Sequence, residues 1–486
     1  MEAILTLKNT TASLEKETYL SQIETLVKDN YNSATFPNKS FPRQDWEKLT
    51  EKGIMLSMIP KEFGGRDSHE ELCDIIERIS RHNLPLGMYT MIITALFVRN
   101  VTKYGSDELK NEVLPKFSNE ALIGGFALTE PHCGSNLAKM TTTFEKTEKG
   151  YHLKGEKHWQ AFSLTADWWL VAAKNIMDKK EFAYFIVQRN EGWKTVEEYK
   201  AIGLKAIDYG RSTIDAVIPE YRKLNVTSEK LLGAIDFLCA SRLSMAAMAT
   251  GFISRVYKEA KDRAQQRPMG NGKLSEVGYV KYKLKLIAAN KTIAQALFTH
   301  LKTKNDFRAD LLNNFFDAQA IKVLATDKML ESALNYQQLC GGEGYRYNAP
   351  SNNSAYALLD SRVYTIFDGT NDLLSQQITE YCIQEAKDKS VLDFLKEYDR
   401  TRQGLDLINI DLTVLNHNQT QEEKVMNGQI ISRIFGLNCL AEATQMGNKK
   451  PFEYGDFRNA VLFLTADIKK TLSEIEILQN NCLSCM

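Results

Sequence analysis

The sequence predicts an α+β fold in which a helical region, a small region of strands and a second helical region follow one another. Three observations carry this. Apolar residues recur at helical spacing over the first part of the chain and again beyond about residue 230. Between residues 118 and about 222 the runs become short and alternating, with turn residues between them. Proline and glycine clusters break the helical runs into separate helices, as in Pro60-Lys61-Glu62-Phe63-Gly64-Gly65. The predicted segments are 1–117, an N-terminal α domain; 118–229, a β domain; 230–386, a C-terminal α domain; and 387–486, a helical extension.

Each element has its own signal. Gln44 to Lys52 reads as a short helix. Leu84 to Tyr104 is apolar nearly all round, which predicts a buried helix. Tyr151-His152-Leu153-Lys154 and Trp169-Leu170-Val171-Ala172-Ala173 read as alternating strands. Arg242 to Gln265 and Lys281 to Thr303 return to helical spacing. Asn409 to Gln421 is polar and Asn-rich, which predicts a linker. Val425 to Gln445 and Asp456 to Leu478 then read as an antiparallel helix pair. No internal repeat is visible.

Composition narrows the partners. A chain of 486 residues has room for two to four domains with cores of their own. Lys plus Arg equals Asp plus Glu at 61 each, so neither a nucleic acid nor an anionic membrane surface is an expected partner. The 8 cysteines are scattered, and no metal site is expected. Cys482-Leu483-Ser484-Cys485 reads as a frayed tail rather than a zinc or redox site. Free thiols without a secretory leader predict a cytoplasmic protein. Glu15 and Glu17 among Lys8 and Lys28 do not suit an acid-poor transit peptide. The longest apolar patch read from the sequence is Met88 to Val98, too short to cross a membrane, and no span is expected.

Four stretches carry chemistry. Ile366-Phe367-Asp368-Gly369-Thr370-Asn371-Asp372 sets a carboxylate directly before a glycine, where a substrate can come close enough for proton abstraction next to a carbonyl. The same run also suits a helix N-terminus, with Asp368 or Asn371 capping a helix from Asp372 onward. Phe126-Ala127-Leu128-Thr129-Glu130-Pro131-His132-Cys133-Gly134-Ser135 reads as a strand entering a Gly-Ser turn, able to offer N–H groups and hydroxyls to a ring edge and a diphosphate. It also reads as a hairpin closed by Pro-His-Cys-Gly. Gly155-Glu156-Lys157-His158-Trp159 brings an indole, suited to stacking on a flat heteroaromatic or to a core. Gln338-Leu339-Cys340-Gly341-Gly342-Glu343-Gly344-Tyr345 holds glycines that let backbone approach a phosphate.

Together, and in their order along the chain, the four stretches resemble the acyl-CoA dehydrogenase superfamily over roughly residues 1 to 385. The resemblance implies an N-terminal helical domain, a small β domain and a four-helix-bundle-like C-terminal domain. It implies a noncovalent FAD and α,β-dehydrogenation of an acyl thioester carried on CoA or on an acyl carrier protein. By it, Phe126, Leu128 and Thr129 lie along the flavin, and Gly134 and Ser135 meet its diphosphate, Ser135 also facing substrate. Trp159 covers the ring, and Ala161 lies beside N5 where a hydroxyl residue is usual. Arg267 meets the FAD diphosphate of a neighbouring subunit or is a solvated helix-end arginine. Gln338, Gly341 and Gly342 cross to that neighbour's cofactor, which implies a homodimer or homotetramer. Thr370 and Asp372 complete the FAD contacts, and Arg242, Phe367 and Gly369 line the substrate.

Asp368 stands where the family has its catalytic Glu, one methylene longer. By resemblance it takes the α-proton while flavin N5 takes the β-hydride. The oxyanion is held by the base residue's own N–H and a ribityl hydroxyl. Ser241 occupies the alternative base position used by one branch of the family, so no substitute base is visible. Asn136 replaces the usual Asp, Leu359 replaces an Arg, and the Phe expected after Arg267 is missing. The implied electron acceptor is an electron-transferring flavoprotein or oxygen. Two other readings stay open: a flavin-dependent oxidase or monooxygenase on the same scaffold, and a non-catalytic assembly subunit.

Overall fold

The computed structural model describes residues 2–34, 36, 40–134, 136–226, 232–416, 420–447 and 451–480. The expected α+β order is what these residues form. The chain divides into two compact units, Met1–Ser241 with Asp306–Leu312, and Arg242–Asn305 with Asn313–Met486.

The first unit begins with helices α1 (Glu2–Asn30), α2 (Arg43–Glu51) and α3 (His69–His82). Helix α4 (Leu84–Met91) continues through a π-helical stretch, Ile92–Val98, into α5 (Arg99–Tyr104). Asn83 starts this run by accepting from the Leu86 N–H at 2.9 Å, and Gly105 ends it. Its side chains are buried on all sides from Leu86 to Val101, as the all-round apolar sequence requires. Helix α6 (Asp107–Asn119) leads into a seven-stranded sheet.

The strands are β1 (Gly124–Ala127), β2 (Thr143–Thr147), β3 (Gly150–Ala161), β4 (Trp168–Asn175), β5 (Phe182–Gln188), β6 (Trp193–Tyr199) and β7 (Tyr209–Ile218). Their order is β1-β4-β2-β3-β7-β6, with β5 added on β4. β1 and β4 run parallel, whereas β3–β7 and β6–β7 are antiparallel. β4 does not alternate as its sequence suggested. Trp168 to Ala173 are all buried, because both faces of this strand are covered. Trp169 stacks on Trp193 at 4.1 Å. Gly124 and Gly125 make this packing possible, since a Cβ on them would lie 2.3 Å from the Phe97 and Trp169 rings respectively.

The second unit is mostly helical: α7 (Leu232–Gln266, from Arg242 on), α8 (Gly278–Lys304), α9 (Phe315–Cys340), α10 (Gly342–Tyr345), α11 (Ser354–Arg362) and α12 (Asn371–Ala386). The last hundred residues add α13 (Val391–Glu397), α14 (Arg402–Leu405), α15 (Gln421–Thr444) and α16 (Tyr454–Asn480). Helix α15 packs on α8, α9 and α12, and α16 packs on α15 and α8. The expected linker is partly built in: Leu412 and Leu415 are buried, and Asn416 accepts from the Leu392 N–H at 2.9 Å. Cys482 and Cys485 lie outside the described residues.

One expectation is corrected. Leu84–Tyr104 and Leu232–Gln266 are both long and apolar enough to cross a membrane by length and composition, although no stretch was expected to reach that length. Their apolar windows are 94% and 83% buried inside the protein, so core packing accounts for their composition.

Candidate active site

In the first unit the strand-borne motif is an edge held from beneath. β1 carries Phe126, whose ring meets Phe237 edge-on at 6.2 Å. Leu128 follows and is buried, with its carbonyl accepting from Lys157 Nζ at 3.2 Å. The Thr129 carbonyl accepts from the His158 N–H at 3.1 Å. Glu130 and Cys133 close a tight turn with backbone bonds of 3.2 and 3.0 Å, so the Pro-His-Cys-Gly turn is present. Beneath it lies a buried ion pair, Glu130 to Lys157 at 2.9 Å, with exposures of 1% and 0%. Glu130 also accepts from Thr141 N and Oγ1 at 2.6 Å and from Thr142 N at 3.0 Å.

Burial alone would raise the Glu130 pKa; the Lys157 ammonium and these hydrogen bonds overcome it and hold the carboxyl down at about 2. Burial pushes Lys157 below the usual lysine range, partly offset by Glu130. Gly134 is exposed, and a Cβ there would meet nothing within 4 Å, so its backbone is open to approach. Ser135 lies outside the described residues.

Trp159 is not a core residue. His158 and Gln160 pair with consecutive residues of β7, Arg211 and Gly210, so Trp159 is the extra residue of a β-bulge. Its φ of 56° is in the left-handed region, and its indole is 55% exposed. The ring leans on Tyr199 at 4.7 Å and lies 6.2 Å from Tyr209. Ala161 ends β3 opposite Tyr209.

In the second unit, the Asp368–Gly369 turn has two successive left-handed residues, φ 56° and 93°. An aspartate there is strained unless its surroundings hold it. Two cations do so. Arg242 Nε donates to the Asp368 carbonyl at 2.9 Å, and Lys322 Nζ donates to the Gly369 carbonyl at 2.7 Å. A Cβ on Gly369 would sit 2.9 Å from Leu374 and 3.3 Å from Arg242 Nη2. Lys322 is fully buried, and burial pushes its pKa down to about 7, against the upward pull of Asp368.

The expected cap is corrected. Neither Asp368 nor Asn371 caps α12. The helix begins at Asn371 and its N-cap is Thr370, whose hydroxyl accepts from the Leu373 N–H at 3.3 Å. Phe367 packs on the buried Tyr364 at 5.1 Å, and Asp372 is exposed in the first turn.

At the far end of α9, Arg267 Nη1 donates to the Leu339 carbonyl at 3.3 Å, a helix-end role. Gln338 is exposed and its carbonyl accepts from the Gly341 N–H. Gly341 has φ 64°, and a Cβ there would touch Arg267 at 3.0 Å. Gly342 is exposed with open space where a Cβ would be.

Profiles of the acyl-CoA dehydrogenase N-terminal, middle and C-terminal domains match residues 15–121, 125–217 and 233–382. The chain belongs to the acyl-CoA dehydrogenase family. This makes it an oxidoreductase acting on CH–CH groups in a family whose cofactor is FAD. An acyl-CoA dehydrogenase of Bacillus subtilis is 27% identical over 352 residues, 71% of this chain and 90% of that protein. The very long-chain specific acyl-CoA dehydrogenase of Homo sapiens mitochondria is 25% identical over 71% of this chain and 54% of its own length. The chain thus spans about half of that larger relative. The crystal structure of an acyl-CoA dehydrogenase complexed with FAD from Bacillus anthracis superposes with a TM-score of 0.78 at 18% identity, covering 95% of this chain and 88% of that one.

The residues at these positions fit FAD. An exposed indole set out on a bulge offers a stacking face, and Gly134 and Gly342 leave backbone open to a diphosphate. Sequence reasoning missed Lys322 and the Glu130–Lys157 pair. Lys322 had a readable signal, a lone lysine in the apolar run Ala320-Ile321-Lys322-Val323-Leu324-Ala325, where burial demands partners.

Proposed function

We propose that the protein is an FAD-dependent acyl-thioester dehydrogenase in which Asp368 takes the α-proton. The observation that carries this is the Asp368 turn. A strained aspartate is kept in place by two buried basic side chains on successive carbonyls, while Thr370 does the capping that would otherwise explain an acid there. The α C–H bond breaks with its proton passing to the Asp368 carboxylate as the C=C bond forms. FAD, when bound, would supply the hydride acceptor for the β-hydrogen. The Asp368 N–H is assigned to the oxyanion, and Arg242 and Lys322 keep that N–H from turning away by fixing the carbonyls that follow. Phe367 and Gly369 are assigned to the substrate. Phe126, Leu128, Thr129, Gly134, Ser135, Trp159, Ala161, Thr370 and Asp372 are assigned to FAD. Gln338, Gly341, Gly342 and Arg267 are assigned to FAD of a second copy, which makes the enzyme a homodimer or homotetramer.

The thioester, on CoA or a carrier protein, and the acceptor, a flavoprotein or oxygen, are read by one experiment. The purified protein should be yellow and should be bleached anaerobically by part of a panel of acyl-CoA and acyl-carrier thioesters. Rapid recolouring in air would favour oxygen as acceptor over an electron-transferring flavoprotein. A colourless protein that takes up no added FAD contradicts the reading. A monomer by light scattering that holds FAD tightly contradicts the shared site.

A further inference from the structure

Helix α15 lies in the extension, more than fifty residues beyond the Asp368 turn in the chain, yet a continuous polar chain joins them. Arg433 on α15 donates from Nη2 to Asp327 Oδ2 on α9 at 2.6 Å. The other oxygen, Asp327 Oδ1, accepts from Asn371 Nδ2 at 2.7 Å. Asn371 Oδ1 in turn accepts from Lys322 Nζ at 2.8 Å, and Lys322 Nζ donates to the Gly369 carbonyl at 2.7 Å. Each link pairs a donor with an acceptor. Thr326 braces the middle through contacts to both ends of the Asn371 amide at 3.2 and 3.0 Å.

The members are mostly buried. Asn371 is 8% exposed and Lys322 is fully buried, while the Arg433 and Asp327 side chains are 12% and 30% exposed. Arg433 is itself oriented by Ser432 Oγ at 3.0 Å. One residue further along α9, Lys328 is paired with Asp467 of α16 at 2.5 Å, a second attachment of the same helix to the extension.

Apolar packing alone would bury α15 at lower desolvation cost, since a buried ion pair is a poor source of affinity. What such a pair does supply is a defined register. Here the register reaches the turn that bears the base. Lys322 Nζ donates to the Gly369 carbonyl, and Asp327 is one of the carboxylates that pull the pKa of this amine up against its burial.

We propose that the C-terminal extension is part of the catalytic apparatus: Arg433, through Asp327, Asn371 and Lys322, fixes the backbone of the Asp368–Gly369 turn and is a positioning residue for the base. The proposal rests on Asp368 being that base. Its test reads the turn and the chemistry separately, in the full-length FAD-loaded protein. Arg433→Met should speed amide exchange of the peptide spanning residues 364–372 while leaving the centre of α9 protected. It should also slow thioester-driven flavin reduction by about tenfold to a hundredfold with little change in thioester affinity, as misplacement of a reacting group does. Arg433→Lys should restore much of both. Lys322→Met with Arg433→Met should be no slower than Lys322→Met alone, because both cut one chain.

Unchanged exchange at 364–372 overturns the proposal whatever the rate. Faster exchange with an unchanged rate shows that α15 holds the turn without serving the reaction, and overturns it too. If Arg433→Met does not fold, Asp327→Asn cuts the same chain from α9 with smaller change in volume and is read by the same two measurements. A fully active Asp368→Asn protein removes the base reading instead, and the exchange result then stands on its own as a statement about the turn.

Discussion

The strand-borne edge of the first unit and the Asp368 turn of the second are both backbone segments held by buried charge, but they are held differently. The edge rests on one pair, Glu130 and Lys157, 27 residues apart and inside neighbouring motifs. The turn rests on Arg242, 126 residues away, on Lys322, 47 residues away, and through Asn371 on Asp327 and Arg433. A closed pair fails at once when either member goes. A distributed chain loses precision by degrees, so its mutants should remain folded and become slow.

The largest effect on stability should come from breaking the closed pair. Glu130→Gln leaves the Lys157 ammonium buried without its counter-charge and should cost about 3–5 kcal/mol in denaturant unfolding. Replacing both together, Glu130→Gln with Lys157→Met, should recover much of it. A single mutant costing under about 1 kcal/mol would show that the pair does not hold the edge. The pair also sets an acid limit. The Glu130 pKa is depressed, so its stabilisation is present above the usual carboxylate pKa of about 4.5 and is lost as pH falls through about 2. Acid unfolding between those values should be shallower in Glu130→Gln.

Lys322→Met should cost less, about 1–3 kcal/mol, for the unpaired Gly369 carbonyl, partly offset because no ammonium is buried. The sign of its pH dependence is opposite in sense to a gained cation. The folded pKa, about 7, is below the ordinary 10.5, so the unfolded chain binds the extra proton between them. Stability should therefore rise from about pH 7 towards 10 in the wild type, and Lys322→Met should lack that rise. Equal pH slopes in the two proteins would mean that Lys322 stays charged in the fold. The smallest effect separates cap from base. Thr370→Ala should cost about 1 kcal/mol of α12 stability. A silent Thr370→Ala beside a destabilised Asp368→Ala would return the capping role to Asp368.

These differences also mark what was legible in the sequence. The α+β order and the buried Leu84–Tyr104 helix follow from period and composition, which act within a few residues. Trp159 is singled out by its motif, but the bulge that turns its indole outward depends on pairing with β7, fifty residues on. The uniform burial of β4 was missed because alternation says nothing about what covers the second face. The stretch 409–421 reads as a linker by its polar residues, yet Leu412 and Leu415 in its described part, 409–416, are buried. Lys322 was readable as a buried lysine, but nothing local names its partners. Arg433 is one charged residue among many on α15, and only the fold brings it to Asp327.

The central claim is that the Asp368 carboxylate takes the proton. Stopped-flow reduction of the bound flavin by a reactive acyl thioester, without oxygen, tests it in Asp368→Asn. That substitution keeps size and hydrogen bonding and removes basicity. The account predicts intact FAD binding, an intact fold, and reduction slowed by about two to four orders of magnitude. Asp368→Glu, read in the same way, reports whether the pocket has closed around the shorter acid. An Asp368→Asn protein that reduces its flavin at the wild-type rate would contradict the account and place the chemistry elsewhere in the chain.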